Sequence, residues 1–133
     1  MSHNLRNSLL VLTTSCLWAG CGLLTGCAGG QQMGGYQSSM GGNPVAGKAL
    51  IQSYGCGSCH VIPGIRTAKG MVGPPLFFYS RRTIIAGELP NTPENLVRWI
   101  ENPAAIEPGT AMPDLGASDS QARDMAAYLY TLR

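Results

Sequence analysis

Charged side chains are scarce in this sequence: lysine, arginine, aspartate and glutamate make up only 12% of its 133 residues. The formal net charge is +2, and no basic stretch is long enough to follow a phosphate backbone. This scarcity argues against nucleic acid as a partner. The length also excludes a large enzyme, because it allows only one small domain once processed segments are removed.

Charge is absent altogether from Leu9 to Cys27, a run that follows a short start with one cation, Arg6. This is the pattern of an export signal. Its end, Leu24-Thr25-Gly26-Cys27, resembles the lipobox of bacterial lipoproteins, in which the cysteine is acylated and becomes the new N-terminus. The sequence therefore predicts a signal peptide over 1–26 and lipidation of Cys27. An uncleaved anchor is the alternative, since an uncharged run of this length could also span a bilayer.

The stretch that follows Cys27, AGGQQMGGYQSSMGGN, has neither charge nor apolar periodicity. Glycine-rich, uncharged segments of this kind behave as flexible chains. We therefore expect 27–43 to be a lipidated cysteine with a tether and 44–133 to be the folded domain. The expected location is the periplasmic side of a bacterial membrane.

Metal-ligating residues are few in the predicted mature domain. Apart from Cys27, its cysteines and histidines are Cys56, Cys59 and His60, all in GCGSCHVIPG. Structural zinc would need two further ligands. A Cys-x-x-Cys redox pair belongs near a βαβ pattern, and nothing downstream alternates strands with long helices. In Cys-x-x-Cys-His, by contrast, two thioethers attach one haem and the histidine ligates its iron. The stretch therefore predicts one covalently bound haem c.

The second axial ligand of that iron can be sought by elimination among the methionines. Met33 and Met40 lie in the tether, and the spacing of Met125 places it in the core face of a helix. Met71 lies close after His60 in a loop rich in glycine and proline, which leaves it possible but awkward. Met112 lies in EPGTAMPDLG, where prolines stiffen the loop. Met112 is therefore the favoured ligand, with Met71 as the alternative.

These motifs resemble those of the class I mono-haem c-type cytochromes. The resemblance rests on CGSCH at 56–60, on GPPL at 73–76, and on ENP at 101–103 followed by PGTAM at 108–112. It covers 44–133 and implies a small all-α cytochrome c fold, with about three to five short helices around the haem and long loops.

Local patterns predict three of those helices independently. AGKALIQSYG, at 46–55, has one apolar face, and Gly55 can end the helix. The stretch 92–103 has Thr92 as N-cap, Pro93 in the first turn and Pro103 as a stop. The last helix begins with a capping box at Ser118 and is expected to run to Leu132.

The resemblance also implies several supporting roles around the haem. The Pro74 carbonyl would accept the N–H of the proximal imidazole, and Arg81 or Arg82 would meet a haem propionate. Trp99 would occupy the aromatic position on the distal-side helix. From the residues alone, Pro74 is equally consistent with a simple turn, the arginines with solvent exposure and Trp99 with core packing.

An iron held by His60 and Met112 has no open position for a small-molecule substrate, so the expected function is electron transfer rather than catalysis. The expected protein is a membrane-tethered periplasmic carrier in a respiratory chain. Its donor would be of the quinol–cytochrome c reductase type, and it would serve, or form part of, a terminal oxidase. The alternative is a haem enzyme or gas sensor in which Met112 is labile.

Electrostatic steering of the protein toward its redox partners is expected to be weak. From Cys27 onward, eight basic residues face seven acidic ones. Arg66 and Lys69 could form a weak docking patch beside the haem edge. A tether can replace charge, because it confines the domain to the membrane surface. We therefore expect transfer rates that depend little on ionic strength.

Overall fold

A computed structural model describes residues 41–133 of the chain. The predicted signal peptide, the predicted lipidation site Cys27 and most of the predicted tether lie outside these residues. Within the described part, no helix is both long and apolar enough to cross a membrane.

Three α-helices form the frame of the domain. They are α1 (Pro44–Ser53), α2 (Pro93–Glu101) and α3 (Asp119–Leu129). Single 3-10 turns occur at Cys56–Ser58, Tyr79–Arg81 and Pro103–Ala105. A two-stranded antiparallel hairpin, β1 (Ile84–Ile85) and β2 (Leu89–Pro90), is the small extended element in this otherwise helical part. The predicted small all-α fold is confirmed.

The first helix begins two residues earlier than the apolar pattern suggests. Asn43 caps it, because its side-chain oxygen accepts the N–H groups of Val45 and Ala46, and Pro44 occupies the first turn. The N–H of Asn43 donates to Asp124 on α3 over 2.6 Å. Asn43, which the sequence pattern groups with the tether, is thus fixed to the C-terminal helix.

Both ends of α2 follow the sequence prediction. Thr92 accepts the N–H of Asn95, and Pro93 is the first helical residue. The helix ends at Glu101, and Asn102 caps both this end and the following 3-10 turn. Pro103 follows this cap, as predicted for the residue that stops the helix, and it also opens the 3-10 turn.

The capping box that opens α3 is present: Ser118 accepts the N–H of Gln121, and Gln121 accepts the N–H of Ser118. The helix ends at Leu129 rather than at Leu132. The reason is a tertiary contact, because the Leu132 carbonyl accepts both the N–H and the hydroxyl of Ser80. That pairing draws the last residues away from the helix axis.

The crossing of α1 and α3 forms the centre of the domain. A Cβ at Gly47 would run into the backbone carbonyl of Asp124, so glycine allows the two helices to approach closely. Ala122 and Ala126 are fully buried on the facing side. Met125 is 1% exposed, as predicted for a residue on the core face. The crossing leaves room beside it for a large cavity.

Candidate haem site

A cavity of about 660 Å³ opens beside the helix crossing. Cavities of about 300 to 1,000 Å³ hold cofactors and drug-sized ligands. The wall is largely aliphatic and aromatic and includes Ile51, Leu96 and Met125. Size and lining therefore suit a flat apolar macrocycle.

Cys56, Cys59 and His60 share one wall of this cavity. Gly55 follows the end of α1 in the left-handed region with φ +72°, which glycine adopts without strain, and the chain then turns into the 3-10 segment. Both thiols are free and half-buried. Burial raises the pKa of the Cys56 thiol, opposed by a backbone hydrogen bond and reinforced by the neighbouring Cys59.

The orientation of His60 is fixed by the loop that faces it. Its Nδ1 lies 2.8 Å from the Pro74 carbonyl oxygen, which can only accept, so Nδ1 must carry the proton. The lone pair of the neutral ring is then on Nε2. A Cβ at Gly73 would contact the imidazole ring, so glycine is required for this close approach. The loop thus forms a cradle for an imidazole that can ligate a metal.

The methionines of the described residues differ in exposure and in whether they line the cavity. Met112 is half-buried and lines the cavity, where its N–H donates to the Thr110 hydroxyl over 3.1 Å. Met71 is 85% exposed and lies outside the cavity wall. Met125 lies at the cavity wall but also packs in the core. Of the two candidates that the sequence left open, the structure brings only Met112 to the cavity with His60.

The two arginines also differ. Arg82 lines the cavity, lies over the Tyr79 ring at 5.2 Å, and donates from Nη2 to the Pro75 carbonyl. Arg81 is exposed, lies outside the cavity wall and stacks on Phe78. The structure therefore brings Arg82, and not Arg81, into the site.

Trp99 lines the cavity from α2 and is half-buried.

Arg66 and Lys69, predicted to flank the haem edge, are both exposed and do not line the cavity. Across residues 41–133, no cluster of three or more histidine, cysteine or acidic side chains could hold a metal ion.

Asn91 is a structural residue of the site that the sequence reasoning missed. Its amide nitrogen donates to the carbonyls of Tyr79 and Arg82, at 3.2 and 2.9 Å. Its amide oxygen accepts the Tyr130 hydroxyl at 2.8 Å. Asn91 thus ties the turn that carries Arg82 to the C-terminal end of α3. No local sequence signal marks it, because its partners lie 9 to 39 residues away.

A second missed contact joins the cavity to the start of α3. The Tyr54 hydroxyl donates to Gln121 Oε1 over 2.9 Å, and the same oxygen accepts the N–H of Ser118 in the capping box. Tyr54 lines the cavity. The capping box, a local signal by itself, therefore also positions a cavity residue.

Comparison with known proteins gives one matching family profile and several similar sequences. The cytochrome c family profile matches residues 44–133. Cytochrome c2 of Rhodopila globiformis is 39% identical over 103 residues, which cover 69% of this chain and 95% of that protein. Cytochrome c oxidase subunit 2 of Alkalihalophilus pseudofirmus is 34% identical over 90 residues, or 65% of this chain. The same subunit of Bacillus subtilis is 32% identical over 93 residues.

The relatives differ in how much of their own length is matched. The chain spans about a quarter of the two oxidase subunits, at 25% and 26%, but nearly all of the cytochrome c2. Because the family profile covers the entire domain that holds the cavity and the CGSCH turn, the chain belongs to the cytochrome c family and carries one covalently bound c-type haem.

Proposed function

We propose that the protein is a membrane-tethered periplasmic electron carrier whose haem is attached at Cys56 and Cys59 and ligated by His60 and Met112. The observation that carries this proposal is the pairing of His60 with the Pro74 carbonyl on the wall of a cavity that Met112 also lines. Two fixed protein ligands leave no site for a substrate, which favours electron transfer over catalysis.

The chain's own residues prepare the site for that role. The Pro74 carbonyl accepts the Nδ1 proton of His60. This contact keeps the lone pair of Nε2 available to ligate iron and makes the imidazole more basic. The Thr110 hydroxyl and the prolines around Met112 restrict the loop that presents the thioether. When bound, the haem supplies reversible one-electron oxidation of its iron, and a thioether ligand raises the reduction potential.

Arg82 is the proposed partner of a haem propionate. Arg82 lines the cavity, and the planar N–H donors of its guanidinium suit a carboxylate. Trp99 is proposed to pack against the haem from the distal side. Arg81 is not assigned a propionate in this proposal, because it lies away from the cavity.

The oxidase subunits among the relatives support a role for this chain in electron transfer to a terminal oxidase. Each contains a segment similar to this chain within a protein about four times the matched length. We propose that this chain delivers electrons to a terminal oxidase, or forms part of one, as a separately tethered domain. A donor of the quinol–cytochrome c reductase type fits the same position in the chain of carriers.

Absorption spectra of oxidised and reduced holoprotein test the ligands directly. We expect the near-infrared band that marks methionine ligation in this family, and we expect Met112→Ala to lose it while keeping covalent haem. Met71→Ala is the matched control and should retain the band, because Met71 lies outside the cavity wall. A band that survives in Met112→Ala would contradict the assignment.

The same variants separate the carrier from a haem enzyme or gas sensor. A closed iron should bind carbon monoxide slowly in the ferrous wild type, and Met112→Ala should bind it rapidly. Rapid binding by the wild type at neutral pH would favour the sensor or enzyme instead.

The tether is tested by cell fractionation. We expect wild-type protein in the membrane fraction with incorporated fatty acid, and Cys27→Ser without the acyl group. Acylation that persists in Cys27→Ser would place the lipid elsewhere, whereas membrane retention without any acylation would indicate an uncleaved anchor.

A further inference from the structure

Two neighbouring aromatic side chains, Phe77 and Phe78, point away from the core. They are 48% and 58% exposed, although the residues on either side of them, Leu76 and Tyr79, are buried. Neither phenylalanine lines the haem cavity. Exposed aromatic pairs are uncommon on a soluble domain of this size unless they serve an interaction. We refer to Phe77, Phe78 and Arg81 as the aromatic–arginine surface.

The backbone at Phe78 is strained. Its φ is +51°, in the left-handed region that bulky residues rarely adopt. It immediately precedes the 3-10 turn Tyr79–Arg81, and its carbonyl accepts the N–H of Arg81 at 2.9 Å. Glycine could make this turn without strain. A phenylalanine here therefore costs stability and adds nothing to the buried core, so its ring requires another explanation.

Arg81 holds that ring in a defined place. Its guanidinium carbon lies 5.9 Å from the centre of the Phe78 ring, within the range of a cation–π contact. Aromatic and arginine side chains are enriched at protein interfaces and among the residues that dominate their binding energy. A ring fixed before binding also loses less conformational freedom on association.

The stretch of sequence that carries this surface is basic. From residue 49 to residue 87 the chain carries four basic residues and no acidic one, while all seven acidic residues follow residue 87. Two further exposed apolar side chains, Val72 and Ile84, also line the haem cavity. Val72 and Ile84 thus bring exposed apolar surface from the same stretch of sequence to the cavity wall.

We propose that the aromatic–arginine surface is the docking surface for the electron-transfer partner, a protein that presents an apolar pocket flanked by carboxylates. This inference rests on the proposed function. The pocket would take the Phe78 ring, and the carboxylates would face the basic side chains.

The oxidation of ferrous holoprotein by salt-washed membranes that contain the terminal oxidases of the source organism tests this surface. Phe78→Gly should lower the second-order rate about ten-fold, the size expected when an interface anchor is truncated. Its melting temperature should match or exceed that of wild type, because glycine removes the strain. Arg81→Glu should also slow the reaction.

The controls match these changes elsewhere on the surface. Val45→Ser removes an exposed apolar side chain of α1, and Arg98→Glu makes the same charge reversal on α2. Both should react at the wild-type rate. Equal rates for Phe78→Gly and wild type, or a clearly lower melting temperature in Phe78→Gly, would overturn the docking surface.

Two further outcomes identify other errors. If wild type shows the methionine band but the membranes do not oxidise it, the proposed delivery to an oxidase fails, and the partner with it. If Phe78→Gly weakens binding to vesicles of phosphatidylcholine and phosphatidylglycerol but reacts normally with solubilised oxidase, the surface contacts lipid and the protein partner is wrong.

Discussion

The crossing of α1 and α3 and the loop wall that carries residues 55–76 are built by different means. The crossing depends on small residues, such as Gly47 and Ala126, that bring two backbones together over buried apolar area. The loop wall depends on individual hydrogen bonds to backbone, such as Gly73 N–H to the Cys59 carbonyl at 2.9 Å and Leu76 N–H to the Val61 carbonyl at 2.8 Å. The crossing brings two helix backbones together, whereas the wall, which also buries Ile62 and Leu76, positions the groups that face the cavity.

The largest expected effect comes from breaking the crossing. Gly47→Val places a side chain against the Asp124 carbonyl and should lower the free energy of unfolding by about 3 kcal/mol or more. Denaturant titration of the holoprotein measures this. Ala49→Val, at an exposed position on the same helix, is the control and should change little. Similar losses in both variants would show that the helix itself, rather than the crossing, responds.

A change in the wall should alter the haem more than the fold. The Cβ of Gly73→Ala would lie about 2.7 Å from His60 Nδ1, so the imidazole must move away from the Pro74 carbonyl. We expect a loss of about 1 to 3 kcal/mol in stability, with a higher reduction potential, because the less basic imidazole stabilises ferric iron less, and a changed spectrum. Gly116→Ala strains the backbone at φ +66° without touching any neighbour, and it should leave the spectrum intact.

Tyr79 lies where the wall meets the core, and it makes stability depend on alkaline pH. Burial raises the pKa of its phenol above the ordinary value of 10, against a smaller lowering by Arg82. The protonated phenol therefore stabilises the fold fully below pH 10, and this contribution is lost as the pH rises above 10. The slope reaches about 1.4 kcal/mol per pH unit. Unfolding titrations should show a shallower decline in Tyr79→Phe, and an unchanged slope would contradict this.

The smallest effect is expected outside both regions, at the ion pair of Asp119 and Arg123 on α3. The atoms Nε and Oδ2 are 2.8 Å apart at the surface. The hydrogen bond from Arg123 is the main cause of a lowered pKa at Asp119. Its stabilisation is therefore present above the ordinary pKa of 3.8 and is lost as the pH falls through the lower folded value. Asp119→Asn should melt slightly below wild type at neutral pH and equally in strong acid.

The sequence predicted most where the chemistry is local. Thr92 with Pro93 and the Ser118 capping box are signals within four residues, and both helix starts were correct. The CGSCH turn is equally local, and the structure places its cysteines and histidine on one wall. The start of α1 was missed although its signal is local, because Asn43 caps the helix and Pro44 opens it. The end of α3 was wrong where a distant residue decides, since Ser80 binds the Leu132 carbonyl.

The same distinction holds at the site. Elimination favoured Met112 over Met71, and of these two methionines only Met112 lines the cavity. Arg81 and Arg82 could not be distinguished from sequence, because their directions depend on the left-handed turn at Phe78. Asn91 was invisible for a similar reason, since its partners are brought together by the tertiary fold.

The half-buried Cys56 sets an order on the assembly of the protein. Its thiol is partly shielded in the folded domain, and burial raises its pKa, so less of the reactive thiolate is present than in an open chain. Thioether formation at this cysteine should therefore be fastest before α1 and α3 close beside it. We expect chain that folds before attachment to react more slowly at Cys56, because its sulfur is then half-buried in the cavity wall.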